Sequence, residues 1–106
     1  MLLAKVTSKN KVIIRLTEER WHHITTSHLE IDPDDYKSIM NTIKDPGTIF
    51  KGDQGELLAV KKKAGKKVWI VVPYKELGKI DGFVITAYLT TDSSWLFQKE
   101  IIWNKQ

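Results

Sequence analysis

The sequence predicts an α+β fold, with two N-terminal helices packed on one face of an antiparallel sheet of about four strands. Three observations point there. Apolar residues between positions 17 and 45 recur at intervals of three and four, the helical period. From Thr48 onward the pattern changes to period two, broken by glycine-containing turns. The helical patterns come as a block before most of the strands rather than alternating with them, which argues against a parallel βαβ sheet.

The elements follow in order. Residues 11–16 (KVIIRL) are β-branched in the middle and read as a strand, with a further strand at residues 2–6. Thr17 suits a helix N-cap, and Glu18 and Glu19 follow in the first turn, where the helix dipole favours acids. That helix is expected to end near Ser27, with Trp21, Ile24 and His28 on one face and Arg20, His23 and Ser27 on a more polar one. Asp32-Pro33 reads as cap and first position of a second, amphipathic helix carrying Tyr36, Ile39, Met40 and Ile43. Asp45-Pro46-Gly47 ends it. Strands are then expected at residues 48–51, 56–63 and 67–75, with Gly52-Asp53-Gln54-Gly55 and Ala64-Gly65-Lys66 as turns. Residues 82–91 read as the clearest strand. Strict alternation would turn Phe83, Ile85, Ala87 and Leu89 toward the helices, and Val84, Thr86, Tyr88 and Thr90 away from them. The tail around Trp95, Phe97 and Ile101 fits strand or helix and is expected to cover a sheet edge.

Composition narrows the function classes. The chain has 106 residues, 42% of them hydrophobic, which suits one small domain spanning residues 1–106 with one core and no linker. Without cysteine there is no disulfide framework, thiolate metal site or thiol nucleophile. No apolar run is long enough to cross a bilayer, and Lys5 closely follows Met1-Leu2-Leu3-Ala4, so no signal peptide is visible and a cytoplasmic protein is expected. The net charge is +4, but unevenly spread: Lys61, Lys62, Lys63, Lys66 and Lys67 crowd into seven residues. Such a patch attracts polyanions, and it equally suits a solvated hairpin tip.

Phosphate-binding glycine loops, zinc-protease helices, calcium loops and nucleophile elbows are absent. Asp32, Asp34 and Asp35 sit at a predicted helix start, where acids need no metal to be stable. Chemistry concentrates in two segments. In Arg20-Trp21-His22-His23-Ile24, followed by His28, imidazoles serve as general acids and bases, and Arg20 lies one turn from His23. A metal role for the His22-His23 pair is disfavoured, because neighbours on a helix diverge by about 100 degrees. In residues 82–90, Thr86 and Tyr88 offer hydroxyls that bind phosphate or a ring that stacks on a base. Arg15 and Lys75 can add phosphate-binding charge. Each group also has a plain structural role: core filling for His28, cross-strand pairing for Thr86 and Tyr88, solvation for the cations.

Arg20-Trp21-x-His23-Ile24, His28, a helix ending at Asp45-Pro46, and Gly82-Phe83-x-Ile85-Thr86-Ala87-Tyr88-Leu89-Thr90 stand in an order that resembles small phage- and toxin-associated nucleases of the barnase–EndoU–colicin–RelE-like superfamily. The likeness covers nearly the whole chain. It departs at Leu29, where those families carry proline after the second histidine. The resemblance implies RNA cleavage without a metal or cofactor. His23 and His28 would share the roles of base and acid, Arg20 would clamp phosphate, and Thr86 and Tyr88 would donate to its oxygens or orient the base. It also implies a toxin role, with a cognate antitoxin or immunity protein as partner. Two other readings compete: a non-catalytic module that binds nucleic acid or an acidic partner through the lysine hairpin, and a protein-interaction domain that uses Trp95 and Trp103.

Overall fold

The structure is a computed structural model describing residues 1–63 and 65–105. Its elements are β1 (Leu2–Thr7), β2 (Ile13–Thr17), α1 (Glu18–Ser27), α2 (Tyr36–Lys44), β3 (Thr48–Lys51), β4 (Leu57–Lys62), β5 (Trp69–Glu76), β6 (Asp81–Val84), β7 (Tyr88–Thr90), a 3₁₀ turn (Leu96–Gln98) and β8 (Ile101–Asn104). The class is α+β, but the sheet is larger than expected and mixed. Among the described residues eight strands take part, in the order β1-β2-β6-β5-β4-β3-β8, with β7 also paired to β5. β2 lies parallel to β6, in register Ile14↔Gly82 and Arg15↔Phe83. The other pairings are antiparallel. A parallel pair needs a long crossover. Here everything from α1 to β5 supplies it, so no local pattern announces it.

Local chemistry explains the helices. The Thr17 hydroxyl accepts the Arg20 amide at 3.1 Å, and the His28 amide donates to the Ile24 carbonyl at 2.8 Å to close α1. α2 begins at Tyr36, later than Asp32-Pro33. The Asp32 carboxylate accepts the Asp34 amide and its carbonyl accepts the Asp35 amide, forming a turn. The Pro33 carbonyl is taken by the Trp21 indole N–H at 2.7 Å. With these groups used, Asp32 does not cap a helix.

Both helices bury their apolar residues in one core. Trp21, Ile24, Ile39, Met40 and Ile43 join Ile14, Leu16, Ala59, Ile70, Val72, Tyr74, Val84 and Ala87. Full burial of each larger apolar side chain contributes roughly 1.5–3 kcal/mol. The Tyr74 hydroxyl is buried there with no hydrogen-bond partner among the described residues. Burial, reinforced by Glu76, pushes its pKa well above the ordinary tyrosine value. The other sheet face holds a second, smaller core of Phe50, Leu58, Val60, Val71 and Leu96, with Trp69, Tyr88 and Trp95 packed on it. The tail therefore covers part of a face before β8 pairs with β3 at the edge.

The predicted continuous strand at residues 82–91 is two strands separated by a bulge. Val84 pairs with Tyr74 and Tyr88 with Val71, so one extra residue stands on the β6–β7 side. The Pro73 carbonyl accepts both the Ile85 and Thr86 amides, at 2.9 and 3.4 Å. Proline has no N–H to return, and inside a sheet it belongs opposite such a bulge. The slip rephases the side chains. Val84, Ala87 and Leu89 face the helices. Phe83 is paired with Arg15 and Lys75 instead of lying in the helix-side core, and Ile85 is only half-buried. In the β4–β5 connection, Ala64 lies outside the described residues, and the Lys63 amide bonds to the Val68 carbonyl at 2.8 Å.

Candidate functional site

The bulge and α1 meet at the sheet edge. β2 accompanies β6 only as far as Phe83, and after Thr17 its chain continues as α1. Beyond Phe83, the outer side of the β6–β7 line faces α1 rather than another strand. Arg20, His23, Ile24, Ser27 and His28 from this segment border a concavity of about 360 Å³ with Ile85 and Thr86 of the bulge. That volume lies near the small end of the roughly 300–1,000 Å³ typical of ligand sites. Four of the five residues expected to do chemistry, Arg20, His23, His28 and Thr86, therefore share one hollow. Helical spacing sets Arg20 and His23 on the same exposed face of α1.

Tyr88, the fifth, stands just outside with its ring against His28. The centroids are 5.7 Å apart, and Trp95 also stacks on Tyr88, at 6.3 Å. Burial in this column, reinforced by the charge of Glu56, raises the Tyr88 pKa above the ordinary tyrosine value. Sequence reasoning set Thr86 and Tyr88 side by side on one sheet face. The bulge separates them, turning Thr86 to the concavity and Tyr88 to the second core.

Two neighbours of this group are not read from the sequence as part of it, Trp95 being read there only as a protein-contact residue. The Glu30 carboxylate lies 3.6 Å from His28 Nδ1 and accepts the Leu89 amide at 3.3 Å, so it links the helix end to β7. Trp95 packs on Tyr88. The sole local hint was an acid two residues after His28.

The cations expected to bind nucleic acid fall in two places. Arg15 and Lys75 flank Phe83 across the sheet, and Arg15 pairs with Asp81 at 2.8 Å. At the other end of β5, Lys62, Lys63, Lys66 and Lys67 border a second concavity of about 330 Å³. Lys61 pairs instead with Asp45 at 3.6 Å, and Lys62 lies 5.9 Å from the Trp69 ring centroid. The histidine hollow stands between these groups along a strand whose eight residues span roughly 25 Å.

Chemically, the hollow offers two imidazoles, a guanidinium and the hydroxyls of Ser27 and Thr86, with a phenol alongside. This is a set for moving protons near an anion, not for binding a hard cation. Among the described residues, no three His, Asp or Glu side chains cluster as metal ligands, and no helix is long and apolar enough to cross a membrane. No protein-family model, curated protein or solved structure matches the chain.

Proposed function

We propose that the chain is a metal-independent endoribonuclease acting as a toxin in the cytoplasm, with RNA as substrate and a cognate antitoxin or immunity protein as its restraint. One observation carries the reading: Arg20, His23, His28 and Thr86, from segments about sixty residues apart, border a single hollow, and Tyr88 packs on His28. In the proposed reaction, one histidine takes the proton of a ribose 2′-OH. O2′ bonds to the adjacent phosphorus, the bond from phosphorus to O5′ breaks, and the other histidine protonates O5′. The products are a 2′,3′-cyclic phosphate and a free 5′-OH. Arg20 holds the phosphate, and Thr86 and Tyr88 donate to oxygens that gain charge in the transition state.

The test is incubation of purified protein with labelled RNA in EDTA, beside His23→Ala and His28→Ala. Cleavage to cyclic-phosphate ends by the wild type alone supports the reading, and intact RNA overturns it. A phosphodiester with a nitrophenolate leaving group, which needs no acid, should restore the variant that lost the acid and not the one that lost the base. Growth arrest on expression, relieved by His23→Ala, tests the toxin role. The concavity bordered by Lys62, Lys63, Lys66 and Lys67 favours the second reading, a binding module without turnover. That reading expects salt-sensitive RNA binding by a protein that never cuts.

A further inference from the structure

The second sheet face has a half that the tail does not cover, and it adjoins the histidine hollow. Pairing registers align Lys5 with Arg15, Arg15 with Phe83 and Phe83 with Lys75, across β1, β2, β6 and β5. Directly paired residues project from the same face, and neighbouring strands lie about 4.8 Å apart. The row therefore sets one half-exposed aromatic ring among three cations. Lys5 and Arg15 are exposed, Lys75 is half-exposed, and Asp81 engages a single Arg15 nitrogen. The other strand aromatics of this face, Phe50, Trp69 and Tyr88, belong to the core closed by Leu96, whereas Phe83 does not. Phe83 instead borders a concavity of about 480 Å³ with Leu2, Arg15, Thr17 and Arg20. Arg20 also borders the histidine hollow, and Phe83 and Val84 run directly into Ile85 and Thr86.

We infer that Phe83 is a stacking platform for the base of a nucleotide next to the cleaved bond, with Arg15 and Lys75 holding the flanking phosphates of single-stranded RNA. The inference rests on the ribonuclease reading for the direction of the strand, from His23 and Thr86 past Arg20 to Phe83. Charge selects the occupant: an aromatic face ringed by cations suits stacked bases on a polyanionic backbone. Stacking is tolerant of sequence, so the platform adds affinity at that position with little base preference.

The experiment measures binding of a fluorescent, fully 2′-O-methylated oligoribonucleotide, which has no attacking hydroxyl, by anisotropy across a salt series. Phe83→Leu should weaken binding about tenfold at every salt concentration, while Phe83→Trp keeps or tightens it. Arg15→Gln should lower the slope of log affinity against log salt by about 0.7. Thermal melts of each variant show that it is folded, and Phe83→Trp serves as the folded aromatic control. Equal affinity of Phe83→Leu and wild type overturns the platform. So does RNA binding that is absent, or that ignores both salt and Arg15, which would leave the face to a protein. Cleavage of unmodified RNA is scored separately. A protein that binds through Phe83 yet never cuts overturns the ribonuclease reading and keeps the platform, and one that cuts with Phe83→Leu binding unchanged does the reverse.

Discussion

The histidine hollow and the lysine hairpin are both basic and both border concavities of similar size, yet they are built differently. The hollow draws Arg20, His23 and His28 from α1 and its cap and Thr86 from a bulge about sixty residues away. The hairpin draws its lysines from one short stretch, with Lys62, Lys66 and Lys67 exposed. A long-range meeting of unlike groups brings acid, base and cation to one spot, which proton transfer needs. A run of like charges fixes only a potential, which attraction needs. The two regions should therefore respond differently to substitution.

The largest difference is expected in turnover. His23→Ala or His28→Ala should lower kcat on RNA by about 10²–10⁴-fold with little change in salt dependence. Replacing Lys62, Lys63, Lys66 and Lys67 together by serine should leave kcat unchanged, raise KM and flatten the salt slope by about 3. A kcat that falls equally in both variants would break the distinction. Steady-state kinetics at several salt concentrations reads both effects.

The glycines beneath the two regions sharpen it further. A methyl at Gly82 would meet the Lys75 carbonyl and the Ile14 side chain, so the strands beside the hollow must move. Gly82→Ala should cost about 1–3 kcal/mol and lower activity as well. Gly65, at the hairpin, has φ +71° and open space around it. Gly65→Ala should cost about 1 kcal/mol from backbone strain and leave activity unchanged. Denaturant titration with a parallel RNA assay separates the two.

The smallest effect concerns the core behind the hollow. Tyr74→Phe removes a buried hydroxyl that has no partner among the described residues, and should stabilise the fold by about 1 kcal/mol. The sign with pH follows from the raised pKa. In the unfolded chain the phenol ionises near pH 10, while in the folded chain it holds its proton to higher pH. The full stability of the wild type is present below about pH 10 and is lost as pH rises through the higher folded value. Tyr74→Phe should flatten that alkaline loss in melts from pH 8 to 11. Tyr88, shifted in the same direction by its own burial, keeps part of it.

Local elements were legible from residues. Thr17 as cap, α1 to Ser27 and β3 over Thr48–Lys51 match the structure because short-range hydrogen bonds and alternation decide them. Elements that depend on distant partners were not. Parallel pairing of β2 with β6 exists only once the intervening chain has folded. The number of strands was underestimated because β8 lies where the pattern is weak and the regular alternation over residues 82–91 hid the β6–β7 break. Asp32 misled because its carboxylate serves a turn. For the site, the two chemical segments were visible and their meeting was not, since Glu30 reaches Leu89 across 59 residues. Pro73 in a central strand was the unread clue to the bulge.

That proline has a consequence beyond its own strand. A fully laddered neighbour would have been zipped shut along its length, its side chains keeping even time from Gly82 to Thr90. One absent amide hydrogen makes the neighbour skip a beat. The skipped beat supplies the doorway through which Thr86 looks toward the imidazoles, and the half-step that brings Tyr88 round to His28. The place where the weave is faulty is thus the place where the fold has room for chemistry.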